Sequence, residues 1–132
     1  MNTRIIEFNG GTLGLRASAL TPRLYRIKFG RDMIVDLNEL KKNFEKVQKN
    51  KQKLAEGTPV DEGDPVELSV FDLTIFENVA YIMARQYDKT IPATVDDWLD
   101  SMDAVFTVYE ILPVILELWH LNNITTSTPQ KK

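Results

Sequence analysis

Residues 32–55 read DMIVDLNELKKNFEKVQKNKQKLA. Leu37, Leu40, Phe44 and Val47 recur at alternating spacings of three and four, which puts them on one stripe of an α-helix. Asp32 stands just before the run, where a short carboxylate side chain accepts hydrogen bonds from the free backbone N–H groups of a helix start. The stripe thins at Lys51 and returns only at Leu54, so the helix is expected to fray near residue 55. A long helix with one apolar face must pack on something, and the rest of the chain supplies further helices.

Upstream, Ile5, Ile6 and Phe8 precede Asn9-Gly10-Gly11, whose residues suit the positive φ of a tight turn. Thr12, Leu13, Leu15 and Arg16 follow as a return strand, so residues 3–17 read as a β-hairpin. Thr21-Pro22 reads as a helix start with Thr21 as N-cap, and Gly30 as its stop. Downstream, Gly57, Pro59, Gly63 and Pro65 mark residues 56–66 as a loop. Asp72 is placed to cap a third helix over 73–87, with a wide apolar face of Ile75, Phe76, Val79, Ala80, Ile82, Met83 and Tyr87. Pro92 and Thr94 open a fourth helix, continued at helical spacing by Trp98, Leu99, Met102 and Val105. The last apolar run, Val105 to Leu121, contains Pro113, which must kink or restart a helix. The expected fold is mainly α (α+β), four to five helices with a short N-terminal hairpin. One domain is expected over residues 1–122, with a disordered polar tail over 123–132.

The chain has 132 residues, 43% of them hydrophobic, a net charge of −3 and no cysteine. That suits a single core and rules out disulfides, thiolate metal sites and cysteine nucleophiles. No basic-then-apolar leader pattern opens the sequence. Ile111 to Leu121 is too short and, with Pro113, Glu117 and His120, too polar to span a bilayer.

Site chemistry is sparse. His120 is the only histidine and its spacing matches no zinc pattern. Asp96, Asp97, Asp100 and Asp103 crowd one helix but lack the order of a calcium loop and the cleft-spanning pair of a glycosidase. Gly10-Gly11-Thr12-Leu13-Gly14 lacks the Lys and Ser/Thr of a phosphate loop. Lys41, Lys42, Lys46, Lys49, Lys51 and Lys53 make a basic run, whereas residues 54–84 hold seven acids and no base. The run has no arginine, and its one interleaved aromatic, Phe44, lies on the apolar stripe, so a solvated helix face complemented by the acidic loop, within the chain or between subunits, is preferred to nucleic-acid contact. In an oligomer such patches would help set a head-to-tail register.

Three blocks add a resemblance. Residues 21–32 include Tyr25-Arg26 and Phe29-Gly30-Arg31-Asp32. Residues 76–84 read Phe-Glu-Asn-Val-Ala-Tyr-Ile-Met-Ala. Residues 94–100 include Trp98-Leu99-Asp100. In this order and spacing they resemble the tail assembly chaperones of long-tailed bacteriophages of Gram-positive hosts. The resemblance implies a non-catalytic protein without cofactors, working in the host cytoplasm and absent from the mature virion. It implies binding to the apolar, helical tape measure protein, which is kept soluble while the tail tube assembles. It also implies self-association, a longer frameshifted form of the same chain, and indirect contact with the tail tube protein. The polar ending Gln130-Lys131-Lys132 would suit the unshifted form. No membrane partner is expected. The expected partner groove is formed by Tyr25, Phe29 and Phe44 with Leu116 and Trp119. Two readings compete with it: a small nucleic-acid-binding regulator using the Lys41–Lys53 helix, and a head–tail connector component.

Overall fold

The computed structural model describes residues 2–8, 11–102 and 107–127. Two strands, β1 (Thr3–Phe8) and β2 (Gly11–Arg16), precede five helices: α1 (Thr21–Phe29), α2 (Met33–Ala55), α3 (Val70–Tyr87), α4 (Val95–Asp100) and α5 (Val108–Ser127). The mainly helical fold with an N-terminal hairpin is therefore as expected from the sequence. The strands pair antiparallel with Ile6 opposite Leu13 and Arg4 opposite Leu15. The turn residues Asn9 and Gly10 lie outside the described residues.

Helix α3 is the centre of the fold. Ile75, Phe76 and the whole run Val79–Ala84 are buried, and a helix apolar almost all round must be enclosed by its neighbours. It packs against β2, α1, α2, α4 and α5. Leu13 and Leu15 of β2, Tyr25 of α1, Met33, Leu37, Leu40, Phe44 and Val47 of α2, Trp98 of α4, and Ile111, Leu112, Ile115 and Leu118 of α5 complete the core. Each large apolar side chain so buried contributes roughly 1.5–3 kcal/mol.

Several helix ends are made differently from the sequence expectation. Asp32 does cap α2, accepting from the N–H of Ile34 at 2.9 Å and of Val35 at 3.2 Å. Gly30 ends α1 at φ 69°, the left-handed conformation that lets its N–H reach Arg26 O. Thr21, however, is inside α1 and Leu20 takes the N-cap position. The Thr21 hydroxyl is drawn instead into a buried network: it donates to Gln86 Oε1, it accepts from Ser18 N–H at 2.9 Å, and Gln86 Nε2 donates to Ser18 Oγ at 2.8 Å. Helix α3 starts three residues before the expected point, because Ser69 Oγ accepts from Asp72 N–H at 3.0 Å. Asp72 faces Asn43 of α2, whose Nδ2 donates to it at 3.1 Å. Thr94 caps α4 as expected, but α4 stops at Asp100. Ser101 ends it, and its hydroxyl donates to Trp98 O. Val105 lies outside the described residues.

Helix α5 runs unbroken through Pro113 and on past Asn122-Asn123 to Ser127. The tail expected from residue 123 thus begins as helix, because nothing between Asn122 and Ser127 removes a backbone donor. Residues 128–132 lie outside the described residues.

Candidate partner groove

The sequence places an exposed face on each of α2 and α5 beside its buried stripe, and between these helices runs an open groove of 460 Å³. Leu37, Lys41 and Phe44 rise along α2 while Pro113, Leu116 and Trp119 run along α5. The spacings, four and three on one helix and three and three on the other, bring one residue per turn to the same side. Phe44 (6% exposed) and Trp119 (8%) form apolar walls, and Leu116 is half-buried between them. Asn38, Lys41, Glu45, Glu117 and His120 form an exposed polar rim.

One end of the helix pair is tied, and α5 is also anchored to β1. At one end Tyr109 OH donates to Glu67 Oε1 at 2.8 Å, and Lys51 Nζ stands 3.3 Å from Glu67 Oε2 and 4.1 Å from the Tyr109 ring centroid. The Tyr109 hydroxyl first, and then Lys51, hold the Glu67 carboxyl below its ordinary value. The Tyr109 ring in turn lies 6.1 Å from that of Phe44. Further along, Arg4 of β1 pairs with Glu117 of α5. The first set of contacts links α2 to α5, and the Arg4–Glu117 pair links β1 to α5.

Of the residues expected to form a partner groove, Phe44, Leu116 and Trp119 come together here. Tyr25 and Phe29 do not. They lie on α1 with ring centroids 5.0 Å apart, and Tyr25 is a core residue with no exposed surface. Its hydroxyl donates to Asp36 Oδ2 at 2.9 Å, and Arg31 grips the same carboxylate at 2.7 and 2.9 Å. Burial, and then the adjacent Asp36, push the Tyr25 hydroxyl well above its ordinary pKa. Arg31 chiefly holds Asp36 below the usual carboxylate range. An aromatic in an early helix looks the same in sequence whether it points in or out; the paired Asp36 four residues into α2 was the readable hint of an inward hydroxyl. Leu37 and Pro113 were missed as groove residues. The signal was present, since 37, 41 and 44 extend one side of the apolar stripe.

Among the described residues no group of three or more His, Cys, Asp or Glu side chains is placed to hold a metal ion, and no helix is long and apolar enough to cross a membrane. Comparison with protein-family models, with curated proteins and with solved structures finds no match.

Proposed function

We propose that this chain is a non-catalytic tail assembly chaperone that holds an apolar helix of a phage tape measure protein in the α2–α5 groove. The observation that carries the reading is the groove itself: an open trough lined by the mostly buried Phe44 and Trp119 and the half-buried Leu116, between two helices linked at one end through Lys51, Glu67 and Tyr109. A helix laid in such a trough buries an apolar stripe at i, i+3 or i+4, and i+7. The resemblance of the three sequence blocks supplies the identity of the client. Each copy covers only about two helical turns of client, since residues 37–44 span roughly 11 Å at 1.5 Å per residue. Many weak copies along one client would give avidity and still be displaced one by one by tube subunits.

The test is co-expression with the tape measure protein of the same phage, followed by purification through a tag on this chain. The client is expected to become soluble and to elute with several copies of the chain. Leu116→Gln, at the groove floor, and Asn38→Trp, which fills the groove from its rim, are each expected to reduce recovery at least tenfold while leaving the helical circular dichroism intact. A client that stays insoluble while this chain elutes alone overturns the reading.

A further inference from the structure

Helix α5 carries a proline in its interior. It begins at Val108 and runs unbroken through Pro113. A proline there has no N–H to give the carbonyl four residues back, which is that of Tyr109. Outside its own helix no described group donates to that oxygen either. The carbonyl of one residue and the amide four residues on lie on the same side of a helix, so the Tyr109 oxygen is on the side that Pro113 turns to the α2–α5 groove. The ring of Tyr109 marks the same end: its centroid lies 6.1 Å from that of Phe44 and 4.1 Å from Lys51 Nζ. The groove thus has an acceptor at its Pro113 end, beside the apolar Phe44 and Leu116.

Stability alone does not account for the proline. Pro113 is exposed, and almost any other residue there would add a backbone hydrogen bond and remove a clash. Departures from local rules of this kind are expected where a surface is used. The charges at this end decide what kind of donor suits the oxygen. Lys41 and Glu45 stand one turn apart on the α2 rim, and Lys51 is paired with Glu67 at 3.3 Å. Two cations and two carboxylates leave this end without net charge. A lysine or arginine entering it would lose hydration and gain no net attraction. A neutral carboxamide loses less, and it has two N–H groups to offer.

We infer that the Tyr109 carbonyl is a specificity contact of the groove, accepting a hydrogen bond from an Asn or Gln side chain of the bound helix. This rests on the groove reading and adds a polar residue that the client must carry beside its apolar stripe. The test co-expresses the tagged tape measure protein of the same phage with equal amounts of wild-type chain and Pro113→Val, and measures the ratio of the two on the client by mass spectrometry. Valine keeps an apolar side chain at the groove and returns an N–H to the Tyr109 oxygen. It is therefore expected to raise the melting temperature and yet to be outnumbered on the client about three- to tenfold, the worth of one hydrogen bond. Pro113→Ala is expected to behave alike. Changing one particular Asn or Gln of the client to Leu is expected to abolish the preference for wild type. Equal occupancy by wild type and Pro113→Val overturns the inference and leaves the groove reading standing, and so does a preference that no Asn or Gln substitution removes. A wild-type chain that does not bind the client overturns both.

Discussion

The aromatic ring of Tyr87 lies against Gly14, in the space that a β-carbon on that residue would occupy. The end of α3 is thereby locked onto the middle of β2, and the glycine is needed for room rather than for an unusual φ.

Gly14→Ala is expected to destabilise the fold by about 1–2 kcal/mol, the usual cost of forcing one extra carbon into an occupied site. Tyr87 must swing away and the hairpin loses its cover. The check is a double-mutant cycle by urea denaturation. Added to Tyr87→Ala, the glycine substitution should become nearly silent. If the two costs simply add, the contact does not couple the hairpin to α3.

The Tyr25–Asp36–Arg31 group ties the α1–α2 corner together. Tyr25→Phe removes one hydrogen bond to a charged acceptor and should cost about 1.5–3 kcal/mol. Asp36→Ala should cost more, because it leaves the buried Tyr25 hydroxyl without a partner. Arg31→Ala should cost least, since Arg31 is half-exposed. Chemical denaturation of the three variants gives the order; an Arg31→Ala loss equal to that of Asp36→Ala would sink this ranking.

Stability should depend on pH through carboxylates shifted in opposite senses, of which Asp36 and Glu77 are the two most buried. Asp36 lies below its ordinary 3.8, so its contribution is present above that value and is lost as the pH falls through the lower folded one. Glu77 lies above its ordinary 4.5, pushed up first by burial and then by nearby Asp96. Its folded form holds the proton more tightly, so stability rises as the pH falls from neutral through the raised value towards 4.5. Melting temperature against pH should therefore show a small rise on mild acidification and then a steep fall. Glu77→Gln should raise the neutral-pH melting temperature by about 1–2 °C and abolish the rise. An unchanged profile in that variant would remove Glu77 as its source.

The start of α3 provides a test of local structure. Ser69→Ala should lower stability by about 1 kcal/mol through loss of the N-cap. Asp72→Asn should be milder, because an amide oxygen can still accept from Asn43. Denaturation midpoints decide, and an inert Ser69→Ala would place the start of the helix elsewhere.

What could be read in the sequence was what depends on neighbours along the chain. The stripe Leu37, Leu40, Phe44 and Val47, the Asp32 cap, the Gly30 stop and the presence of an N-terminal hairpin all follow from spacing and local backbone preference. They determined a mainly helical fold with an N-terminal hairpin. The tertiary structure decided which of several competent groups is used. Ser69 and Asp72 could each cap a helix, and the choice fell to Ser69 once Asn43 claimed Asp72. Thr21 could cap α1, but Gln86, 65 residues away, took its hydroxyl. Phe44 and Tyr25 are alike as aromatic residues on apolar helix faces. Phe44 borders an open groove because α5 lies alongside, whereas Tyr25 is sealed because Asp36 and Arg31 offered its hydroxyl a buried partner. Periodicity fixes which side of a helix is apolar, but exposure depends on what packs there, and that is set by contacts distant in sequence.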